Sequence, residues 1–349
     1  MGKIKGKIAN KPKSRAKSRR KKHPKITKLT IVAVIALALW GVLAEWFVHH
    51  SPKWIDEANA SMPSLITVPL LRFGNPLADI TDALDLTGHD AIYEYDTEAP
   101  DGEISFAGLP QRIGAPAPDD IRILDRGEFT IGWSDSLRHP VWCAYHVPAA
   151  APYENTPRPT FTHDRSVQLS PDPKDYTKSG YDRGHMVPNY AIVTRFGKEM
   201  QKQTFKMSNI SPQRPALNRG VWRDLEYRIA KFWPSAYGEI WVVVGTIPGN
   251  GETLPNTDID VPTGFYMVVI AQKEMDVRAF AVLLDQNAGW NEWAARRLIS
   301  IDELEKITGL DFNPELPSFI QDPLEAELPT RLWPIRFVDV FQLVISWFM

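Results

Sequence analysis

Cysteine is all but missing from this 349-residue chain: Cys143 stands alone, so no disulfide can form within it and no structural zinc site can be built on paired thiolates. Set in the apolar run Val141-Trp142-Cys143-Ala144-Tyr145, that thiol reads as a small core residue. No internal repeat is present, which argues against a repeat architecture. Acidic residues are absent from the first 28 positions, which carry thirteen Lys or Arg side chains from Lys3 to Lys28. Of the 40 basic residues, 40 − 13 = 27 remain to face 42 acidic ones, a formal charge of −15 for the rest of the chain. The near-neutral total hides a basic tail on an acidic body.

Leu29 to Val48 follows the tail as a run of 20 residues interrupted late by Glu45, about the length a bilayer requires. With the positive charge on its N-terminal side, this run is expected to be an uncleaved transmembrane signal anchor, leaving the tail in the cytoplasm and the rest on the extracytoplasmic side. The rival reading is a signal peptide cut near Val42-Leu43-Ala44, which would release a secreted protein. The tail also has the charge to grip anionic lipid or nucleic acid.

The chain therefore divides into a basic tail (1–28), the anchor (29–48), a spacer (49–104), a catalytic domain (105–320) and an apolar C-terminal tail (321–349). The spacer holds Gly74-Asn75-Pro76 and Ala99-Pro100-Asp101-Gly102, with a short helical pattern at Ile80 to Leu86. Ile335 to Met349 is too short and too interrupted for a confident span; docking on the domain, lying at a membrane surface and pairing with a second copy as a homodimer all remain open.

Inside the domain, Glu128 to Trp133, Val141 to Val147, Ile240 to Val244 and Phe265 to Ile270 are rich in β-branched and aromatic residues and read as strands. Helices are expected at Arg195 to Thr204, Leu217 to Lys231, Trp290 to Arg297 and Ile301 to Thr308, the last ended by Gly309. Strands and helices do not alternate strictly. The fold class is therefore α+β, with a mixed, mainly antiparallel central sheet and packed helices.

The chemistry sits in three polar stretches: Tyr181-Asp182-Arg183-Gly184-His185-Met186-Val187-Pro188, then Ser208-Asn209-Ile210-Ser211-Pro212-Gln213, then Asn218 with Trp222, Leu225 and Glu226. On a helix, residues four and eight after Asn218 are displaced by only about 40° and 80°, so Asn218 and Glu226 share a face. Mg²⁺ keeps several of its waters and needs one or two protein oxygens besides a substrate phosphate. Asn218 can be the direct ligand and Glu226 can hold metal-bound water, with Mn²⁺ as the alternative cation. An imidazole titrating near pH 6.5 suits His185 for taking a proton from water, oriented by Asp182 or by a backbone carbonyl in a tight Arg-Gly turn. Trp222 and Leu225 read as packing residues.

Asp182-Arg183-Gly184-His185 resembles the signature of the DNA/RNA non-specific endonuclease family, the endonuclease G-like enzymes with a ββα-metal site. Further landmarks follow in family order from about residue 105 to 318: Gly108-Leu109-Pro110, Pro140-Val141-Trp142, Ser208-Asn209 with Pro212-Gln213, Val261-Pro262-Thr263, and Leu304-Glu305 with Thr308-Gly309-Leu310-Asp311-Phe312. The resemblance implies His185 as general base, Asn218 as the Mg²⁺ ligand, Glu226 as holder of its waters and Asn209 as a second active-site asparagine. Arg158 in Arg158-x-x-Phe161-x-x-Asp164 is similar to the family's upstream arginine and would meet the phosphate. Where the family has a further arginine one helical turn after the glutamate, this chain has Ala230, with Arg228 or Lys231 as substitutes.

The reading that results is a membrane-anchored, Mg²⁺-dependent hydrolase of phosphodiester bonds in DNA and/or RNA, with Arg158 and Arg183 neutralising phosphate oxygens. The competing class is a membrane-tethered module that binds nucleic acid without cutting it. An acidic body facing a polyanion also requires a local positive groove, expected from Arg183, Arg195, Lys198, Lys202, Lys206, Arg214, Arg219 and Arg223.

Overall fold

The computed structural model describes residues 93–94, 104–274 and 276–334. The basic tail, the anchor, nearly all of the spacer with its Ile80 to Leu86 pattern, and the segment after Pro334 lie outside the described residues. Among the described residues no helix is long and apolar enough to cross a membrane.

One sheet of eight strands carries the domain: β1 (Tyr93–Glu94), β3 (Ile121–Asp125), β4 (Phe129–Ser134), β5 (His139–Val147), β8 (Glu239–Ile247), β9 (Gly264–Lys273), β10 (Asp276–Asp285) and β11 (Leu298–Ile299). They run in the order β1-β10-β9-β8-β5-β4-β3, with β11 on β10, and every pairing is antiparallel; outside this sheet β2 (Gln111–Arg112) pairs with β12 (Leu310–Asp311). The central strands β8 and β9 are buried almost throughout, so both faces of the sheet are covered.

Trp142, Ala144, Trp241, Val243, Tyr266, Val268 and Ile270 point one way, into a core closed by α5 (Ile301–Thr308) and α6 (Ser318–Ala326) through Ile301, Leu304, Ile320 and Leu324. The alternate residues face the helices that carry the site, as the edge-to-face contact of Phe265 with Trp222 at 5.6 Å illustrates. The chain continues past residue 320 as part of this packing: Trp333 is buried against Trp233, whose indole N–H donates to the Trp333 carbonyl.

The four expected strands and the mainly antiparallel sheet are present; three of the strands are longer than their apolar runs, and that of Glu128 to Trp133 is shifted by one residue to Phe129–Ser134. Two helices differ. Trp290 to Arg297 forms only a 3₁₀ turn at Ala294–Arg297, leaving Trp290 nearly half exposed. The Arg195 to Thr204 helix begins earlier, as α1 (Asn189–Thr204), because Pro188 sits extended at its start, and Gly197 kinks it with φ 79°.

Candidate active site

The Asp-Arg-Gly-His stretch is not the tight turn expected from sequence. It is a strand, β6 (Asp182–His185), paired antiparallel with β7 (Ile210–Gln213), with His185 opposite Ile210 and Asp182 opposite Gln213. Gly184 is required there because a Cβ would meet the Gln213 side chain at 2.1 Å.

Beyond the ribbon, α2 (Pro215–Leu217), a π-helical turn (Asn218–Trp222), α3 (Arg223–Tyr227), a second π turn (Arg228–Phe232) and α4 (Trp233–Tyr237) succeed one another without a gap. Gln286 locks this ββα unit to the sheet: its amide donates to the Pro212 and Pro262 carbonyls and accepts from the Arg214 N–H.

A cleft of roughly 560 Å³ opens between the ribbon, α1 and α3. His185, Asn218, Glu226, Arg158 and Arg183 all line it, together with Asp182, Arg219 and Arg223.

His185 is buried between two aromatic rings, Phe161 at 5.2 Å and Phe205 at 4.8 Å between centroids, and its Nε2 has no hydrogen-bond partner among the described residues. Burial first, and the nearby charge of Arg158 second, push its pKa down to about 3, so the ring is neutral at physiological pH.

Asp182 does not orient this ring. Its carboxylate accepts from Asn218 Nδ2 at 2.9 Å and from Arg219 Nε and Nη2 at 2.7 and 2.6 Å. The consequence is that the Asn218 amide nitrogen is anchored and its Oδ1 is left for another partner.

Glu226 is partly buried, and the loss of solvent around its carboxyl raises its pKa to about 8 against the smaller opposing effects of the Trp222 side chain and the charges of Arg158 and Arg223. A carboxyl this costly to ionise gains most from a cation placed beside it. An amide oxygen held by an anchored nitrogen, with a partly buried carboxylate on the same helical stretch, is a hard-oxygen donor set of the kind that a hard divalent cation such as Mg²⁺ takes.

The upstream motif divides its labour in a way the sequence does not announce. Arg158 reaches the cleft and lies 5.5 Å from the Phe205 ring centre, while Phe161 packs on His185. Asp164 turns into the core, where Arg126 and the Ser208 and Ser166 hydroxyls bind it.

Asn209 does not line the cleft. It is fully buried beneath it, its Oδ1 accepting from the Val187 N–H and its Nδ2 donating to the Val187 and Thr204 carbonyls, each at 3.0 Å.

Arg183 borders the cleft, but its Nε and Nη2 both donate to the Pro173 carbonyl. Neither expected substitute for the missing arginine at 230 reaches the cleft: Arg228 is buried elsewhere and Lys231 donates to the Tyr227 hydroxyl. Of the eight cations proposed for a positive groove, Arg183, Arg219 and Arg223 are at the cleft. Arg195 is instead buried against Pro148, and Lys202 pairs with Glu199.

Residues 111–319 match the model of the family described as DNA/RNA non-specific endonuclease. The chain is 30% identical over 211 residues to "Nuclease EXOG, mitochondrial" of Danio rerio, covering 53% of this chain and 59% of that protein. It is 28% identical over 233 residues to the "Mitochondrial nuclease" of Saccharomyces cerevisiae, covering 59% and 69%. With "Endonuclease G, mitochondrial" of Bos taurus it shares 26% over 247 residues, 60% of this chain and 79% of that one. The chain thus spans between half and four fifths of these relatives. The fold matches a chain in the crystal structure of the EndoG/EndoGI complex with a TM-score of 0.52 and 23% identity, over 59% of this chain and 90% of that chain. With a family model that matches more than half of its length, the chain belongs to the DNA/RNA non-specific endonuclease family.

Proposed function

We propose that this protein is a divalent-cation-dependent endonuclease that hydrolyses phosphodiester bonds of DNA and/or RNA with little sequence preference. The observation that carries this reading is the convergence of His185, Asn218 and Glu226 on one cleft that is also lined by arginines.

In this reading the neutral His185 ring takes the proton of the attacking water, and its seat between Phe161 and Phe205 keeps the imidazole pointed without a hydrogen-bonded orienter. Asp182 acts through Asn218, holding its amide nitrogen and leaving Oδ1 for a cation. Glu226 would hold the waters of a cation bound beside Asn218. Mg²⁺ bound there would neutralise charge on the phosphate and on the leaving oxygen. Arg158 meets a phosphate oxygen where charge develops. Contacts of this kind reach the backbone of the nucleic acid and leave its bases unread.

The sequence of residues 29–48, with the basic tail before it, supports a membrane anchor that leaves this domain on the extracytoplasmic side.

The test is digestion of plasmid DNA and of RNA by the full chain, with Mg²⁺ and with chelator, beside His185→Ala. Cutting that needs the cation and falls about 10²- to 10⁴-fold in the variant is expected. Binding without cutting by the unaltered chain would favour the non-cleaving module, and cutting that survives His185→Ala would remove the imidazole from the mechanism.

A further inference from the structure

Four arginines line the cleft, and a guanidinium whose donors are already spent on the protein has little left for a phosphate. Arg183 spends Nε and Nη2 on the Pro173 carbonyl. Arg219 spends the same two nitrogens on both oxygens of Asp182. These two hold the walls of the cleft in place.

Arg158 and Arg223 are different. Arg158 faces an aromatic ring, a contact that leaves its N–H groups in the guanidinium plane for other partners. Arg223 has the carboxylate of its neighbour Asp224 at 3.9 Å, too long for a hydrogen bond, and its side chain is 47% exposed. Arg223 opens α3 and lies three residues before Glu226, so the two side chains are neighbours on the helix surface. Its charge is felt at the Glu226 carboxyl.

We propose that Arg223 is a phosphate-contacting residue of the reaction, reaching the substrate from α3 while Arg158 reaches it from the segment before β6. This rests on the nuclease reading above. It assigns to the start of α3 the positive charge that Ala230, itself buried, cannot supply from the helix's next turn.

The experiment compares the full unaltered chain with Arg223→Ala and Arg223→Lys in two measurements. The first is kcat/KM for cutting a short single-stranded oligodeoxynucleotide in Mg²⁺. The second is affinity for a fluorescein-labelled oligodeoxynucleotide in chelator as salt is raised, which needs no cutting. Arg223→Ala is expected to lower kcat/KM about 10- to 100-fold and to reduce the slope of log affinity against log salt by about one. Arg223→Lys should restore the slope but only part of kcat/KM, because an ammonium cannot bind phosphate bidentately. An Arg223→Ala protein with kcat/KM within about twofold of the unaltered chain overturns the proposal. So does a loss of rate with an unchanged salt slope, which would mean that Arg223 acts only through Glu226. If the unaltered chain cuts nothing in Mg²⁺, the nuclease reading fails on the first measurement while the salt slope still judges Arg223.

Discussion

Glu325 gives this domain a pH response away from the cleft, and the effect can be worked from its surroundings. It lies on α6, 3% exposed, and accepts from Asn313 Nδ2 at 2.8 Å. Facing it from α5 are Glu305 and Asp302, whose carboxylate oxygens come within 4.8 Å of its own. Burial, followed by the charges of Glu305 and Asp311, lifts its pKa from 4.5 to about 8. Glu305, whose Oε1 accepts from the Phe312 N–H, is raised to about 7 for the same leading reason.

A carboxyl that holds its proton longer in the folded state than in the unfolded one contributes stability fully present below about pH 4.5 and lost as pH rises through about 8. The interval of about 3.5 units bounds the cost of ionising Glu325 in place at ~5 kcal/mol, and local opening of α6 provides a cheaper escape. Glu325→Gln keeps the acceptor for Asn313 and removes the charge. It should therefore leave stability at pH 5 nearly unchanged and raise it by about 1–3 kcal/mol at pH 9. Urea unfolding of the full chain followed by tryptophan fluorescence, in chelator so that no cation occupies the trio, measures both values. A variant with no advantage at pH 9, or with the same advantage at both pH values, would refute the burial argument.

Two other substitutions test how the cleft is held. Asn209→Ala strands the Val187 N–H and C=O in the interior, and we expect a loss of roughly 2–4 kcal/mol in the same urea measurement, together with loss of cutting as the segment after His185 shifts; unchanged stability would show that these groups find other partners. Asp182→Asn removes the carboxylate that anchors Asn218 and pairs with Arg219. The Mg²⁺ concentration for half-maximal cutting should then rise about 10- to 100-fold with little change in stability, since the Arg219 side chain is 60% exposed. An unaltered Mg²⁺ dependence would separate Asp182 from the cation site.

The sheet is legible in the sequence where strands are long and apolar on both faces, as in Glu239–Ile247 and Gly264–Lys273. The ribbon is not, because Asp182-Arg183-Gly184-His185 has none of the β-branched residues that signal a strand; it is extended through its pairing with Ile210–Gln213. The residues that gather at the cleft are legible for a different reason. Their types are those that phosphodiester chemistry needs, and His185, Asn218 and Glu226 can be picked out without knowing the fold. What each polar group is bonded to is settled by tertiary packing and leaves no periodic trace. Hence Asp182 is bonded to Asn218 and not to His185, Arg183 is tied to Pro173, and Asn209 lies under the floor.

The helix carrying Asn218 and Glu226 shows how a local irregularity can serve the site. In a regular α-helix eight residues turn through 800°, leaving the two side chains about 80° apart around the axis. The chain does not keep that regularity: it widens into a π-helical turn at Asn218–Trp222 and kinks at Gly220, whose φ −102° and ψ −119° are not helical. With no Cβ, glycine gives the backbone the freedom to break there. Trp222 and Leu225, both buried, fix the rotation of the helix against the sheet, so the widened turn decides which way Asn218 points. The relative aim of the Asn218 amide and the Glu226 carboxyl is therefore set by that break and not by the 3.6-residue repeat alone.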